Sequence, residues 1–196
     1  MKNQAIESRG EGGVLRVEFV WREDRFGHLI SVVGADGVAA PLLESVEGAN
    51  ADGFPASPPL QSLSIETLAD GRRAALLVGM AGRSHWSASI EPLADAAGLV
   101  FDIACRAGEP RPRLASEYAL AVVAELLCEA TNSRIELRSG AHTLIGSALL
   151  GTINATTQTE NSITFAPIAA PAAALRATIR WQYEIRLLPS IEGNTN

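Results

Sequence analysis

The chain has 196 residues, of which 47% are hydrophobic, 19% charged and 5% aromatic, a balance typical of one packed globular domain. Its formal net charge of −6 argues against a nucleic-acid-binding domain, which would normally carry a basic surface. No apolar run reaches the roughly 18 residues that a membrane-spanning helix needs, and the start of the chain lacks a hydrophobic signal core. We therefore expect a cytoplasmic protein that binds neither nucleic acid nor membrane.

Alternation of apolar and polar residues predicts that the chain is built mainly of β-strands. Residues 1–12 are polar and contain glycine, so we expect a flexible N-terminal segment, one β-sandwich domain at 13–190 and a flexible tail at 191–196. The alternation begins in Val14–Arg22, where every second residue is leucine, valine, phenylalanine or tryptophan. Alternate residues of a strand face opposite sides of a sheet, so this segment should bury one face.

Two Asp-Gly pairs, Asp36-Gly37 and Asp70-Gly71, lie between apolar segments that resemble strands. An Asp-Gly pair tolerates the positive φ angles of a tight turn, so each pair predicts a β-hairpin. The predicted strand pairs are His28–Gly34 with Val38–Val46 and Gln61–Leu68 with Arg72–Gly79.

The segment Ser116–Thr131 supports two interpretations. A serine suited to a helix N-cap is followed by good helix formers, which favours one short helix. The alternative is a pair of strands interrupted near Ala124.

Clear alternation returns in Gly98–Arg106, where Leu99, Phe101, Ile103 and Cys105 share one face and Asp102 and Arg106 lie on the other. It is clearest in Leu175–Leu187, where the odd positions are almost all large and apolar and the even positions are polar or charged. One sheet alone could not bury this much apolar surface, whereas two sheets packed face to face can. Strands with one polar side favour antiparallel pairing. We therefore predict an all-β protein, a two-sheet antiparallel β-sandwich, with or without one short helix around 116–131.

Chemistry-bearing residues are few, and the sequence contains no recognisable cofactor motif. One candidate surface is the polar side of the segment after Gly82, where imidazole, hydroxyl and carboxyl groups alternate with apolar residues. Such groups hydrogen-bond polyhydroxylated ligands, and a structural interpretation as an ordinary solvated sheet surface stays open. The predicted binding residues on this surface are Arg83, His85, Ser87 and Ser89, with Glu91 as a further acid–base candidate.

A second charged group lies in the turn before a strand and comprises Glu23, Asp24, Arg25 and His28. Paired acid and base groups here would transfer protons if they faced a cleft, and surface ion pairing is the alternative. We take Arg25 as a binding candidate and His28, with His85, as an acid–base candidate.

Three histidines, His28, His85 and His142, would suffice for a zinc site with one open position. Alternation separates them, however, because His28 shares its face with apolar residues and His85 shares its face with serines. We therefore expect no metal site and no cofactor.

Four short segments together resemble a galactose-mutarotase-like β-supersandwich. These segments are Trp21–His28, Arg83–Trp86, Phe101–Ala104 and Thr178–Trp181. Members of that superfold bind sugars across a curved sheet, and its enzymes use a histidine and a glutamate as acid and base. Carried onto this chain, the resemblance implies roles for His28 and His85, and less directly for Glu91.

The leading hypothesis is carbohydrate recognition on a concave sheet face without catalysis. One alternative is an aldose-epimerase-like enzyme that uses a histidine and a carboxylate as an acid–base pair. Another is a structural or assembly module that self-associates through an exposed sheet edge.

Overall fold

The computed structural model describes residues 4–48, 54–108, 113–121, 125–131, 134–156, 162–168 and 176–189. None of these residues belongs to a helix long and apolar enough to cross a membrane. The described strands are, in chain order, β1 (Gln4–Gly10), β2 (Gly13–Arg22), β3 (Arg25–Val33), β4 (Ala39–Ser45), β5 (Ser62–Thr67), β6 (Arg73–Ala81), β7 (Ser84–Pro92), β8 (Gly98–Arg106), β9 (Ser116–Leu120), β10 (Glu125–Thr131), β11 (Arg134–Ser139), β12 (His142–Leu150), β13 (Thr152–Thr156), β14 (Ser162–Ala166) and β15 (Thr178–Leu187).

The strands form two antiparallel sheets, which confirms the predicted all-β sandwich. The first sheet has the order β1-β2-β3-β4-β9-β14-β13, and the second has the order β10-β11-β12-β15-β8-β7-β6-β5. Side chains from both sheets meet in one apolar core, as expected when each strand buries alternate residues. The largest fully buried side chains are Trp181, Tyr118, Tyr183, Phe19, Phe101 and Phe165.

Both predicted hairpins are confirmed. Strand β3 pairs with β4, and β5 pairs with β6, around the two Asp-Gly turns. The glycine of each turn adopts a positive φ, +80° at Gly37 and +84° at Gly71, which explains why glycine is suited to these positions.

The expectation of a flexible segment at 1–12 is wrong for the described part, because residues 4–10 form β1 and pair with β2 along their whole length. Ile6 and Ser8 are buried. The Ser8 hydroxyl donates to the carbonyl oxygen of Ala96 and accepts from the backbone N–H of Gly98, each at 3.0 Å. These bonds attach β1 to the second sheet. The predicted tail at 191–196 lies outside the described residues.

The helix interpretation of 116–131 is also wrong, and the alternative with two strands is confirmed. Strand β9 lies inside the first sheet between β4 and β14, whereas β10 is at the edge of the second sheet. The predicted interruption near Ala124 falls within 122–124, outside the described residues. Pairing on both sides and burial of the Tyr118 ring stabilise β9 as a strand, which overrides the helix propensity of its residues.

Gly79 in β6 lies against the segment before β5. A Cβ atom at this position would lie only 1.9 Å from the carbonyl oxygen of Pro59. Gln61 holds the two segments together, because its side chain accepts from the backbone N–H of Met80 at 2.7 Å and donates to the Met80 carbonyl oxygen at 2.8 Å. The close approach therefore requires glycine.

We expect Gly79→Ala to lower the free energy of unfolding by about 3 kcal/mol, because the added methyl group must displace backbone. Urea denaturation measures this loss. Ser87→Ala, on the exposed face of the neighbouring strand, is the control and should change stability by less than about 0.5 kcal/mol. Equal stabilities of the two variants would contradict the close contact.

Candidate functional site

A chain of buried polar side chains crosses the core between the sheets. His28 of β3 and Tyr118 of β9 belong to the first sheet, and the His28 Nε2 atom lies 2.5 Å from the Tyr118 hydroxyl. That hydroxyl lies 2.7 Å from the hydroxyl of Tyr183, which belongs to β15 of the second sheet. The His28 Nε2 atom and both tyrosine hydroxyls therefore have partners although all three residues are buried.

Aromatic rings surround this row of hydrogen-bonded polar side chains. Phe101 stacks on Tyr183 with 4.8 Å between ring centroids and also lies 6.0 Å from the His28 ring. Burial in these apolar surroundings lowers the pKa of His28 to about 4. The imidazole of His28 is therefore uncharged at neutral pH. Because it faces the core, it contributes no positive charge to the protein surface.

The backbone of His28 connects this core to a surface pocket. Its N–H donates to the Ser45 hydroxyl at 2.8 Å. Ser45 in turn donates a short hydrogen bond to the Oε1 atom of Glu47, the second residue after β4. Ser45 therefore orients the carboxyl group of Glu47 through a bond network that begins in β3.

Glu47 lines an open cavity of about 310 Å³ beside the turn between β2 and β3. We call this cavity the Glu47 pocket. Gly27 leaves room for the carboxyl group of Glu47, because a Cβ atom at position 27 would lie 3.2 Å from Glu47 Oε1. The lining residues are Arg22, Glu23, Asp24, Arg25, Glu47 and Gly48.

The second carboxyl oxygen of Glu47, Oε2, is buried and has no hydrogen-bond partner among the described residues. Burial raises the pKa of Glu47 to about 7, against the opposing effects of the Ser45 hydrogen bond and the positive charge of Arg25. At neutral pH this carboxyl group can therefore either accept or donate a proton, which is the property required of a general acid or base.

Arg25 forms a fixed wall of the pocket. Its side chain is only 3% exposed, and its Nε atom donates to Asp24 Oδ1 at 2.7 Å. Its Nη1 atom also donates to the Glu47 carbonyl oxygen at 3.2 Å. The hydrogen bond from Arg25 lowers the pKa of Asp24, so a persistent negative charge lies next to the titrating group.

Of the two groups of candidate residues predicted from the sequence, only the group in the turn before β3 lies at the Glu47 pocket. Arg25 lines the Glu47 pocket, and His28 lies behind it with its ring in the core. Proton transfer by the predicted turn residues required that they face a cleft, and Glu23, Asp24 and Arg25 do line one.

The other predicted group lies on the outer face of β7 in the second sheet. His85 and Glu91 are six residues apart on this strand, which corresponds to about 20 Å, so they do not form an acid–base pair. Ser89 donates to Glu91 at 2.8 Å, Ser87 is exposed, and Arg83 is exposed in the turn before β7. Binding by this face stays a prediction.

The three histidines are likewise separated, since His28 is in the core, His85 is exposed on β7 and His142 begins β12. Within the described residues, no group of three or more histidine, cysteine or acidic side chains is placed to hold a metal ion.

Glu47 and Ser45 were not predicted as site residues. Their neighbourhood could have been inferred, because the correctly predicted hairpin of β3 and β4 brings the end of β4 beside the start of β3. The sequence gives no comparable signal for the burial of Glu47 Oε2, since that burial depends on how the residue after β4 packs beside the turn between β2 and β3.

A scan against protein-family models finds no match for the chain, and a search of curated proteins finds no significantly similar sequence.

Replacing Glu47 by glutamine should reveal its raised pKa. A carboxyl group whose pKa is higher in the folded chain than in the unfolded chain takes up a proton on folding, so it costs stability as the pH rises from about 4.5 to about 7. Glutamine does not ionise. We therefore expect Glu47→Gln to gain roughly 2 kcal/mol relative to the wild type between pH 5 and pH 8.

Urea denaturation at the two pH values measures this difference. Glu11→Gln, in the exposed turn between β1 and β2, controls for loss of one surface charge. A stability difference between Glu47→Gln and the wild type that does not change with pH would show that the pKa of Glu47 is not raised.

Proposed function

We propose that the protein binds carbohydrate and that the Glu47 pocket is its recognition site. The observation that carries this proposal is the buried Glu47 Oε2 atom without a hydrogen-bond partner among the described residues. Buried polar atoms are nearly always paired, and an unpaired one costs about 1–3 kcal/mol. A ligand hydroxyl that donates to Oε2 would remove this cost.

The polar groups of the pocket suit hydroxyl ligands. A hydroxyl both donates and accepts, and the lining places the half-exposed guanidinium donor of Arg22 beside carboxylate acceptors. Two neighbouring hydroxyls of a sugar ring could therefore bond to one donor and one acceptor at once.

Charge and size support a small neutral ligand. Two arginines and three acidic residues line the pocket, and one of those acids, Glu47, is about half protonated near pH 7. The positive and negative charges thus nearly balance. A volume of about 310 Å³ is at the lower end for ligand sites and suits a single sugar unit. The described lining contains no aromatic ring, so we expect weak binding, with a Kd in the millimolar range.

The likeness to galactose-mutarotase-like proteins and the cytoplasmic location both stay predictions. They agree with a sugar ligand but do not identify one. The proposal differs from the sequence-based expectation in its place, since it moves the site from the outer face of β7 to the Glu47 pocket.

A panel of monosaccharides tested by ligand-observed NMR at millimolar concentration checks the proposal. We expect saturable binding of at least one sugar, and a loss of about tenfold or more in Glu47→Gln, which replaces an anionic acceptor by an amide. If the carboxylate is the binding form, affinity should rise about tenfold from pH 6 to pH 8 in the wild type, because Glu47 deprotonates across this range.

His85→Ala is the matched control, since it alters the site predicted on β7 and leaves the Glu47 pocket intact. Loss of binding in His85→Ala with normal binding in Glu47→Gln would place the site on β7. Absence of saturable binding for the whole panel would refute carbohydrate recognition.

A second candidate function is an aldose epimerase, in which the acid–base machinery takes the proton from the C1 hydroxyl and protonates the ring oxygen as the bond between C1 and that oxygen breaks. One observation favours it, namely a carboxyl group in a cavity whose pKa is about 7. Here Glu47, and not a histidine, would be the acid–base group.

Polarimetry of freshly dissolved aldoses tests this enzyme. Catalysis predicts mutarotation faster than in buffer, with the acceleration lost in Glu47→Gln and kept in His85→Ala. A rate equal to that of buffer would rule it out and would leave the binding proposal unaffected.

A further inference from the structure

A second cavity, of about 890 Å³, lies where the edge strand β1 of the first sheet approaches the hairpin of β5 and β6 in the second. We call it the arginine groove. Its main lining residues are Gln4 and Glu7 of β1, Arg16 of β2, Ile65 of β5, Arg72 in the turn and Arg73 of β6. Strands from both sheets therefore contribute to one space.

Two of the arginines are held in fixed orientations. Arg16 donates to Glu7 Oε1 through Nε at 2.9 Å and through Nη2 at 2.6 Å. Arg72 donates to Asp70 through Nε at 2.7 Å and to the carbonyl oxygen of Pro92 through a short hydrogen bond. Side chains already held in place lose little conformational freedom when a ligand binds.

The third arginine is not neutralised. The side chain of Arg73 is exposed and has no hydrogen-bond or ion-pair partner among the described residues. Glu7 is already shared by Arg16 and by Arg9, whose Nη2 atom lies 2.6 Å from Glu7 Oε2.

The lining therefore has three arginines and one carboxylate, an excess of positive charge in a chain of net charge −6. The other carboxylates that face Arg72 are Asp70 and Glu91. Among the described residues, neither of them forms an ion pair with Arg73.

We propose that the arginine groove binds an oxyanion, with Arg73 as the direct ligand and Arg16 and Arg72 as flanking donors. Guanidinium groups match carboxylate, sulfate and phosphate oxygens because their planar N–H donors form paired, charge-assisted hydrogen bonds. The oxyanion is either a free inorganic ion or the same group carried by an anionic sugar. This inference does not rest on the Glu47 pocket, whose charges nearly balance.

Titration calorimetry of the full chain tests the proposal with three probes, namely sodium sulfate, sodium phosphate and glucose 6-sulfate. Each titration is run at constant ionic strength and is repeated at a higher concentration of sodium chloride. We expect saturable binding that weakens as sodium chloride is added, because an exposed ion pair is screened. Arg73→Gln should weaken binding about tenfold. Arg106→Gln, an exposed arginine on β8 outside the groove, is the matched control and should bind as the wild type does.

Tighter binding of glucose 6-sulfate than of sulfate, lost in Arg73→Gln, would identify a sugar-borne anion, whereas equal binding would identify the free ion. No saturable binding of any probe, or equal losses in Arg73→Gln and Arg106→Gln, would overturn the proposal. Sulfate and phosphate contain no sugar, so their binding tests the groove alone, and failure here is distinguishable from failure of the carbohydrate site.

Discussion

The structure depends on two buried hydrogen bonds that join β9 of the first sheet to β15 of the second. The hydroxyls of Tyr118 and Tyr183 lie 2.7 Å apart, and the Trp181 indole N–H donates to the Ser116 hydroxyl at 3.1 Å. A buried polar group without a partner is costly, so these pairs restrict how far each strand can shift along its own sheet. A slip of one residue would turn Tyr118 out of the core and break both bonds.

The same constraint positions the Glu47 pocket. Tyr118 also bonds to the His28 ring, and the His28 backbone bonds through Ser45 to the carboxyl group of Glu47. Two sets of hydrogen bonds, joined through the covalent structure of His28, therefore extend from the middle of the core to a surface cavity. Because the inner end of this connection is surrounded by stacked rings, the carboxyl group is held by a rigid support rather than by the adjoining loop.

The Glu47 pocket and the arginine groove differ in the charges that line them. In the Glu47 pocket, acidic and basic side chains nearly cancel, and burial shifts the remaining carboxyl group toward its neutral form. In the arginine groove, most of the lining charge is positive and solvent reaches Arg73. One site thus favours ligands rich in hydroxyl groups, and the other favours anions. Both cavities lie beside turns or strand ends, where side chains escape the strict inward and outward alternation of the sheets.

By itself the sequence determined the all-β class, the antiparallel sandwich and both Asp-Gly hairpins. These features depend on neighbouring residues, since alternation assigns the faces of a strand and a turn joins segments that follow each other. Only the tertiary structure decided that residues 4–10 form a strand, that 116–120 do not form a helix, and that Glu47 is buried whereas His85 and Glu91 lie far apart.

The physical reason is that these outcomes depend on contacts between residues distant in the sequence. Ser8 bonds to residues 88 and 90 positions later, and the partner of the Tyr118 hydroxyl in the second sheet is 65 positions away. Local patterning encodes which side of a strand is apolar. Which distant strand covers that side, and which polar atoms it leaves buried and unpaired, is settled only when the two sheets pack together.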